Sequence, residues 1–202
     1  YRTPAGWGSA AAEDTLALLA DHAHCELRAA ASAQGLIAKN PADTALVEAL
    51  ADTALEELEH FRTVARLLHR RGGVIGPTLS SPYAEGLLRG FSSRDGEVLL
   101  DRLIVAGLIE ARSLERFVLL SREHPDAELR ALYADLLASE ARHRALFTRL
   151  ARERFPEARV AVRMRELEAL EARVVSALPF TSRMHSGPVA AVGSRTGFSD
   201  ES

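Results

Sequence analysis

Four long stretches of this chain repeat apolar residues at alternating spacings of three and four, and a glutamate interrupts each run near its middle. The runs are Leu16, Leu19, Ala23, Glu26, Ala30, Ala33, Ile37; then Leu46, Leu50, Thr53, Glu57, His60, Val64, Leu67; then Leu100, Leu103, Gly107, Glu110, Leu114, Phe117; and last Leu129, Tyr133, Leu136, Glu140, His143, Phe147, Leu150. That spacing is the seam of helices packed side by side in a bundle. A histidine follows the glutamate by three positions in the second and fourth runs. A carboxylate on a core seam loses several kcal/mol of hydration even after relaxation, and four together repel each other. Opposite charge has to come from somewhere.

The rest of the chain supports an all-α reading. Its 202 residues are 47% hydrophobic but only 5% aromatic, and Ala, Leu, Glu and Arg, all strong helix formers, dominate. That length suits one domain with a sizeable core. Start and stop signals place long helices at about 9–38, 43–71, 94–122, 125–154 and 156–178. Asn40-Pro41 ends the first and Gly72-Gly73 the second, while Pro125 and Pro156 fit first-turn positions. Residues 72–94 are rich in Gly, Pro and Ser, with a short helical piece expected near 83–88. Such a link suits a long crossover between the second and third long helices, with the fifth as an additional C-terminal helix. The organisation is therefore a helical bundle over 1–178 and an irregular or mobile tail over 179–202.

Charge and cysteine usage narrow the function. A net charge of -3 gives no global basic field, so a nucleic-acid contact would need a local patch. Cys25 is the only cysteine, which excludes an intrachain disulfide and a thiolate-rich metal site. No apolar run approaches the roughly 20 residues of a membrane span. The chain opens on Tyr1-Arg2-Thr3-Pro4, without methionine and without a charged-then-apolar leader pattern. A cytoplasmic protein with a trimmed or processed start is expected.

Two divalent cations would neutralise the four seam carboxylates. The expected ligands are Glu26, Glu57, His60, Glu110, Glu140 and His143, with each Glu-x-x-His pair addressing one ion and Glu26 and Glu110 bridging or capping. Glu57 follows Glu26 by 31 positions and Glu140 follows Glu110 by 30, so two hairpins would present their ligands alike. Glutamate from two helices and Glu-x-x-His from two others is the ferritin-like di-iron or di-manganese pattern. Oxygen-rich ligation without thiolate favours iron or manganese over zinc or copper(I). A polar network closed by Arg112 and Arg142 is the competing reading, but neither arginine lies on a seam. His22, His24, His69 and His124 fit no paired spacing and read as surface or polar structural residues, and Glu56 and Glu59 as solvated ones. Ala30 and Gly107 leave little side-chain volume beside Glu26 and Glu110. They are candidates for a substrate pocket, although small seam residues also let helices approach closely.

The segments "DHAHCELRAAASA", "ALEELEHFRTVARLLHRRG", "LIVAGLIEARSLERF" and "YADLLASEARH" carry these residues and go beyond the generic pattern. In order and spacing they resemble the MiaE family of tRNA 2-methylthio-N6-isopentenyladenosine hydroxylases, over about residues 1–178. The family often has a cysteine just before the glutamate of "ERF", where this chain has Leu114. The resemblance implies an O2-dependent monooxygenase with two iron ions (manganese possible), O2 as co-substrate and an external electron-donor protein or reductase. It would hydroxylate the isopentenyl group of adenosine 37 in the tRNA anticodon loop, as a monomer or small homo-oligomer. Arginines between 142 and 173 alternate with glutamates in the manner of a solvated helix face, so tRNA as partner rests on the resemblance. Other readings are a different ferritin-like di-metal oxidase, a manganese catalase, or a non-enzymatic iron-binding protein.

Overall fold

The computed structural model describes residues 1–77, 80–94 and 96–189, where all regular structure is helical. In chain order come α1 (Trp7–Ala11), a 3-10 turn (Ala12–Asp14), α2 (Thr15–Lys39), α3 (Thr44–Arg70), α4 (Pro82–Leu88), α5 (Val98–Glu123), α6 (Ala127–Arg154) and α7 (Glu157–Ala177). Two hairpins, α2–α3 and α5–α6, make the bundle, and α4 lies in the crossover between them. The additional helix α7 packs on α4 and α5. This is the ferritin-like arrangement expected from the four seams.

Local chemistry sets the helix ends. Asp14, Asp43 and Asp126 each accept a hydrogen bond from a first-turn N–H of α2, α3 and α6, a cap that typically contributes about 1 kcal/mol. α3 ends at Gly72, whose φ of +79° a side chain would resist, and Gly73 N–H returns to the Leu68 carbonyl.

Several boundaries differ from the sequence expectation. The first helix is not continuous, because Asp14 caps Ala17 while the Thr15 hydroxyl donates to the Ala12 carbonyl at 3.0 Å. The chain breaks there, α1 folds onto α5, and Trp7 is buried. Leu16 then falls in the first turn of α2 and stays 41% exposed instead of joining the seam. The third long helix begins at Val98, not near 94, after a turn at Gly96 with φ +81°. Pro125 and Pro156 stand outside their helices. Asp126 supplies the cap after Pro125, and Pro156 itself occupies the capping position of α7 with ψ 133°.

Two apolar clusters fill the bundle. One gathers Trp7, Leu18, Leu19, Leu67, Phe117 and Tyr133, and the other Leu36, Leu46, Leu50, Leu103, Phe147 and Leu150. The seam glutamates belong to neither cluster and occupy the middle of their helices. Residues 179–189 carry no helix but are packed, not loose. The wholly buried Arg116 donates to the Met184 and Ser186 carbonyls at 2.6 and 2.7 Å, and Met184 N–H donates to Asp21 at 2.9 Å. Positions 190–202 of the expected tail lie outside the described residues.

Candidate metal centre

Glu26 from α2, Glu57 and His60 from α3, Glu110 from α5, and Glu140 and His143 from α6 converge in the bundle interior. All are buried except His60, which is half-buried. They form two overlapping sets, Glu26, Glu57, His60, Glu140 and Glu57, Glu110, Glu140, His143, each with its donor atoms within 4.8 Å of one another. Glu57 and Glu140 belong to both sets. Glu26 and His60 belong to the first set alone, and Glu110 and His143 to the second alone. Within each Glu-x-x-His the glutamate reaches the shared middle, and the histidine one turn later reaches a single side.

The unsatisfied atoms of this cluster fit two cations. Both carboxylate oxygens of Glu57, His60 Nδ1 and His143 Nδ1 are buried without a hydrogen-bond partner. Yet His143 Nδ1 lies 2.8 Å from Glu57 Oε1, and His60 Nδ1 3.4 Å from Glu57 Oε2. The approach is close but misaligned for hydrogen bonding, as suits groups whose common partner is a cation. The other nitrogen of His143, Nε2, sits 3.0 Å from Glu56 Oε2, which also accepts from Arg142. A carboxylate holding the far nitrogen of a ligand imidazole fixes its tautomer and orientation. Glu56 is therefore placed against His143 and is not merely solvated, whereas Glu59 stays exposed and pairs with Arg62.

Burial, and then neighbouring carboxylates, hold Glu26, Glu110 and Glu140 well above the ordinary carboxylate range. Burial pushes Glu57 the same way, but the approach of His143 and His60 outweighs it and leaves Glu57 low. Burial lowers His143, and the Glu57 carboxylate more than compensates and raises it. Without cations the cluster therefore holds protons, which divalent ions would displace.

The sequence reading missed His22. It is 1% exposed, its Nε2 lies 2.6 Å from Glu26 Oε1, and its ring stacks on Tyr133 at 5.5 Å. Burial drives its pKa down to about 3, so the imidazole is neutral. His22 stands four residues before Glu26, on the same helix face, a His-x-x-x-Glu signal that a search for Glu-x-x-His passes over. His24 and His124 are buried too, and His124 Nδ1 accepts from Asp126 N–H, while His69 is exposed.

A cavity of about 270 Å³ opens between α2 and α5 and reaches Glu26, Glu110 and Glu140. On the seam helices Ala29 and Ala106 line it, and the expected Ala30 and Gly107 do not. One residue rotates a helix by about 100°. A Cβ added at Gly107 would meet α6, 3.5 Å from Phe147 Cβ, and Ala30 is buried away from the cavity. The crossover contributes Leu88 and Phe91, and the tail contributes Met184 and His185. α7 fixes that crossover. Tyr83 OH donates to Glu171 at 2.9 Å, and Gly86 and Gly90 leave no room for a Cβ against Val174 and Leu170.

Residues 1–186 match the family described as tRNA-(MS2IO6A)-hydroxylase, MiaE. The chain belongs to the MiaE family. A relative from Pseudomonas putida is 40% identical over 185 residues, covering 92% of this chain and 90% of its own length. One from Salmonella typhimurium is 35% identical over 136 residues, covering 67% and 50%. Both are named tRNA 2-(methylsulfanyl)-N(6)-isopentenyladenosine(37) hydroxylase. A solved structure of a Synechococcus protein, described as having aldehyde deformylating oxygenase activity, superposes with a TM-score of 0.89 at 39% identity, covering 95% of this chain and 96% of that one.

As a MiaE-family member the chain is an enzyme on a ferritin-like scaffold that offers a di-metal site. No described helix is long and apolar enough to cross a membrane. Many arginines of α6 and α7 pair with carboxylates instead of forming a free basic stripe in this MiaE-family fold: Arg142 pairs with Glu56, Arg149 with Glu153, Arg154 with Asp43, Arg159 with Glu97, and Arg163 with Asp101.

Proposed function

We propose that this MiaE-family enzyme is an O2-dependent non-haem di-iron monooxygenase that hydroxylates the isopentenyl group of (methylthio-)isopentenyladenosine 37 in tRNA. The observation that carries this reading is the junction of the carboxylate–histidine cluster with an apolar cavity at Glu26, Glu110 and Glu140. Glu26, Glu57, His60, Glu110, Glu140 and His143 would hold the two irons, with Glu57 and Glu140 common to both donor sets. The irons would supply the activation of O2 that insertion of oxygen into a C–H bond requires, with electrons from an external donor protein.

The chain's own residues do the rest. Val105, Ala106, Ile109 and Phe147 wall the cavity and exclude water from an alkyl group beside Glu110. Ala29 and Ala106 leave the width for that group. Neutral His22 holds Glu26 from Nε2 and would donate to that carboxylate once bound cations ionise it, and the Glu56 carboxylate holds His143 by accepting from its Nε2. The modified base would leave its stack so that its N6 substituent enters.

The Synechococcus structure and the apolar cavity together favour a second reading, deformylating oxygenation of an aldehyde. One experiment separates the two. The purified protein is given Fe(II), a reductant and O2 with isopentenylated tRNA, and in parallel with a medium-chain aldehyde. A nucleoside heavier by one oxygen is the expected product. An unchanged nucleoside together with formation of the hydrocarbon one carbon shorter would replace the first reading by the second.

A further inference from the structure

Arg102 differs from the paired arginines of α6 and α7. It lies on α5 with its guanidinium over the Phe91 ring, 5.7 Å from the centroid. Among the described residues it has no carboxylate within ion-pair distance, and its Nε is buried without a hydrogen-bond partner. It lines the cavity together with Ser32 and Leu88, which are exposed, whereas His22, Phe117 and Met184 at other parts of the wall are buried. The Arg102 end is therefore the mouth. Among the described residues a partly desolvated cation there meets no anion, and the apolar wall behind it leads to the carboxylate cluster. An elongated ligand with an apolar tip and an anionic handle satisfies both ends. Arg102 precedes Glu110 by eight residues, about 12 Å along the helix axis. A nucleotide with an alkyl group on N6 has its phosphate and its alkyl terminus separated on that scale.

We propose that Arg102, oriented by Phe91, binds a phosphate of the nucleotide whose N6 substituent occupies the cavity. This deepens the tRNA hydroxylase reading and rests on it. A neutral aldehyde would give Arg102 no partner. Phe91 holds the guanidinium by cation–π attraction and leaves its N–H edges to the ligand. Gly90 just before it is pressed against Leu170, which fixes the turn that places Phe91.

The test is calorimetric binding of N6-isopentenyladenosine and of its 3′,5′-bisphosphate to the metal-loaded protein under anaerobic conditions. The wild type is expected to bind the bisphosphate at least about tenfold more tightly, as a charge-assisted contact provides, and added salt should reduce the difference. Arg102→Gln should abolish that preference while leaving nucleoside affinity within about twofold, and Arg102→Lys should retain part of it. A preference that survives in Arg102→Gln overturns the proposal, as does an equal loss for nucleoside and bisphosphate, which would mark a structural role. If the glutamine variant does not fold, the wild type alone decides, since equal affinity for the two ligands is fatal. Failure of the substrate reading looks different: the wild type then binds neither ligand.

Discussion

Glu110 and Arg112 stand two residues apart on α5 and enter two buried charged clusters of opposite character. Behind the helix, Arg112 donates from Nε and Nη2 to the two oxygens of Glu171, both at 2.8 Å, and Tyr83 OH donates to the same carboxylate. Arg112 also reaches Glu115 and the Thr3 hydroxyl. In front of the helix, four carboxylates meet two imidazoles, and Glu57 and both histidines leave buried atoms unpartnered. The rear cluster is closed, because each charge meets its opposite with aligned donors. The front one is incomplete as protein alone. Burial by itself therefore does not distinguish a structural polar network from a ligand set, whereas charge balance and hydrogen-bond alignment do. The arginine network considered from sequence exists, but Arg112 closes it on Glu171, away from the seam carboxylates, and Arg142 touches only Glu56 beside them.

The comparison breaks most visibly at its closed side. Arg112→Met would strand the buried Glu171 carboxylate and should cost about 3–5 kcal/mol of stability. Urea unfolding should show that loss both with and without metal, and a loss below about 1 kcal/mol would mean that the pair is not the closed unit described. Glu140→Gln should do the reverse. It should abolish metal binding and hydroxylation, yet leave the metal-free protein as stable as wild type or up to about 1 kcal/mol more so, because one repelling carboxylate is gone. Strong destabilisation of the metal-free variant would count against the cluster being strained without ions.

Acidity sharpens the same contrast. Glu26, Glu110 and Glu140 have folded pKa values raised above the ordinary 4.5, so the native metal-free state binds more protons than the unfolded chain. Their contribution to stability is fully present below about pH 4.5 and is lost as pH rises through the folded values. Glu57, held low, works in the opposite sense but is one group against three. Melting temperatures measured from pH 5 to 8 should therefore separate, the metal-free protein falling behind the metal-loaded one as pH rises. A constant gap would contradict the assignment.

Substitutions beside the cluster test the cavity's register. Ala106→Phe should fill the space next to Glu110 and block substrate while both metals still bind. Gly107→Ala, whose Cβ would make only an ordinary contact with Phe147, should leave turnover intact and raise stability by at most about 1 kcal/mol. Blocked turnover in the alanine variant and free turnover in the phenylalanine one would restore the pocket to the Gly107 side.

The six ligand candidates and the two hairpins were legible because a glutamate on an apolar seam is costly and its recurrence at matched distances is rare. The register of the pocket was not, since a three-four repeat tolerates an error of one residue, which exchanged Ala29 for Ala30 and Ala106 for Gly107. Phe91, Met184 and His185 lie in segments without periodicity, and only packing against α7 and Arg116 brings such segments to the cavity. Arg116, and the partner that closes Arg112, were not legible because only α1, α7 and the tail, which carry no seam signal, cover the back of α5. His22 and Glu56 each contact a candidate ligand, Glu26 and His143, and so fall outside the ligand spacing itself.

Anaerobic titration of the metal-free protein with Fe(II), followed by calorimetry and melting temperature, tests the central claim that the front cluster is a ligand set. Two equivalents per chain should bind, protons should be released, and the melting temperature should rise, because ions that bind only the native state stabilise it. Uptake of no ion, or an unchanged melting temperature at saturating Fe(II), would contradict it.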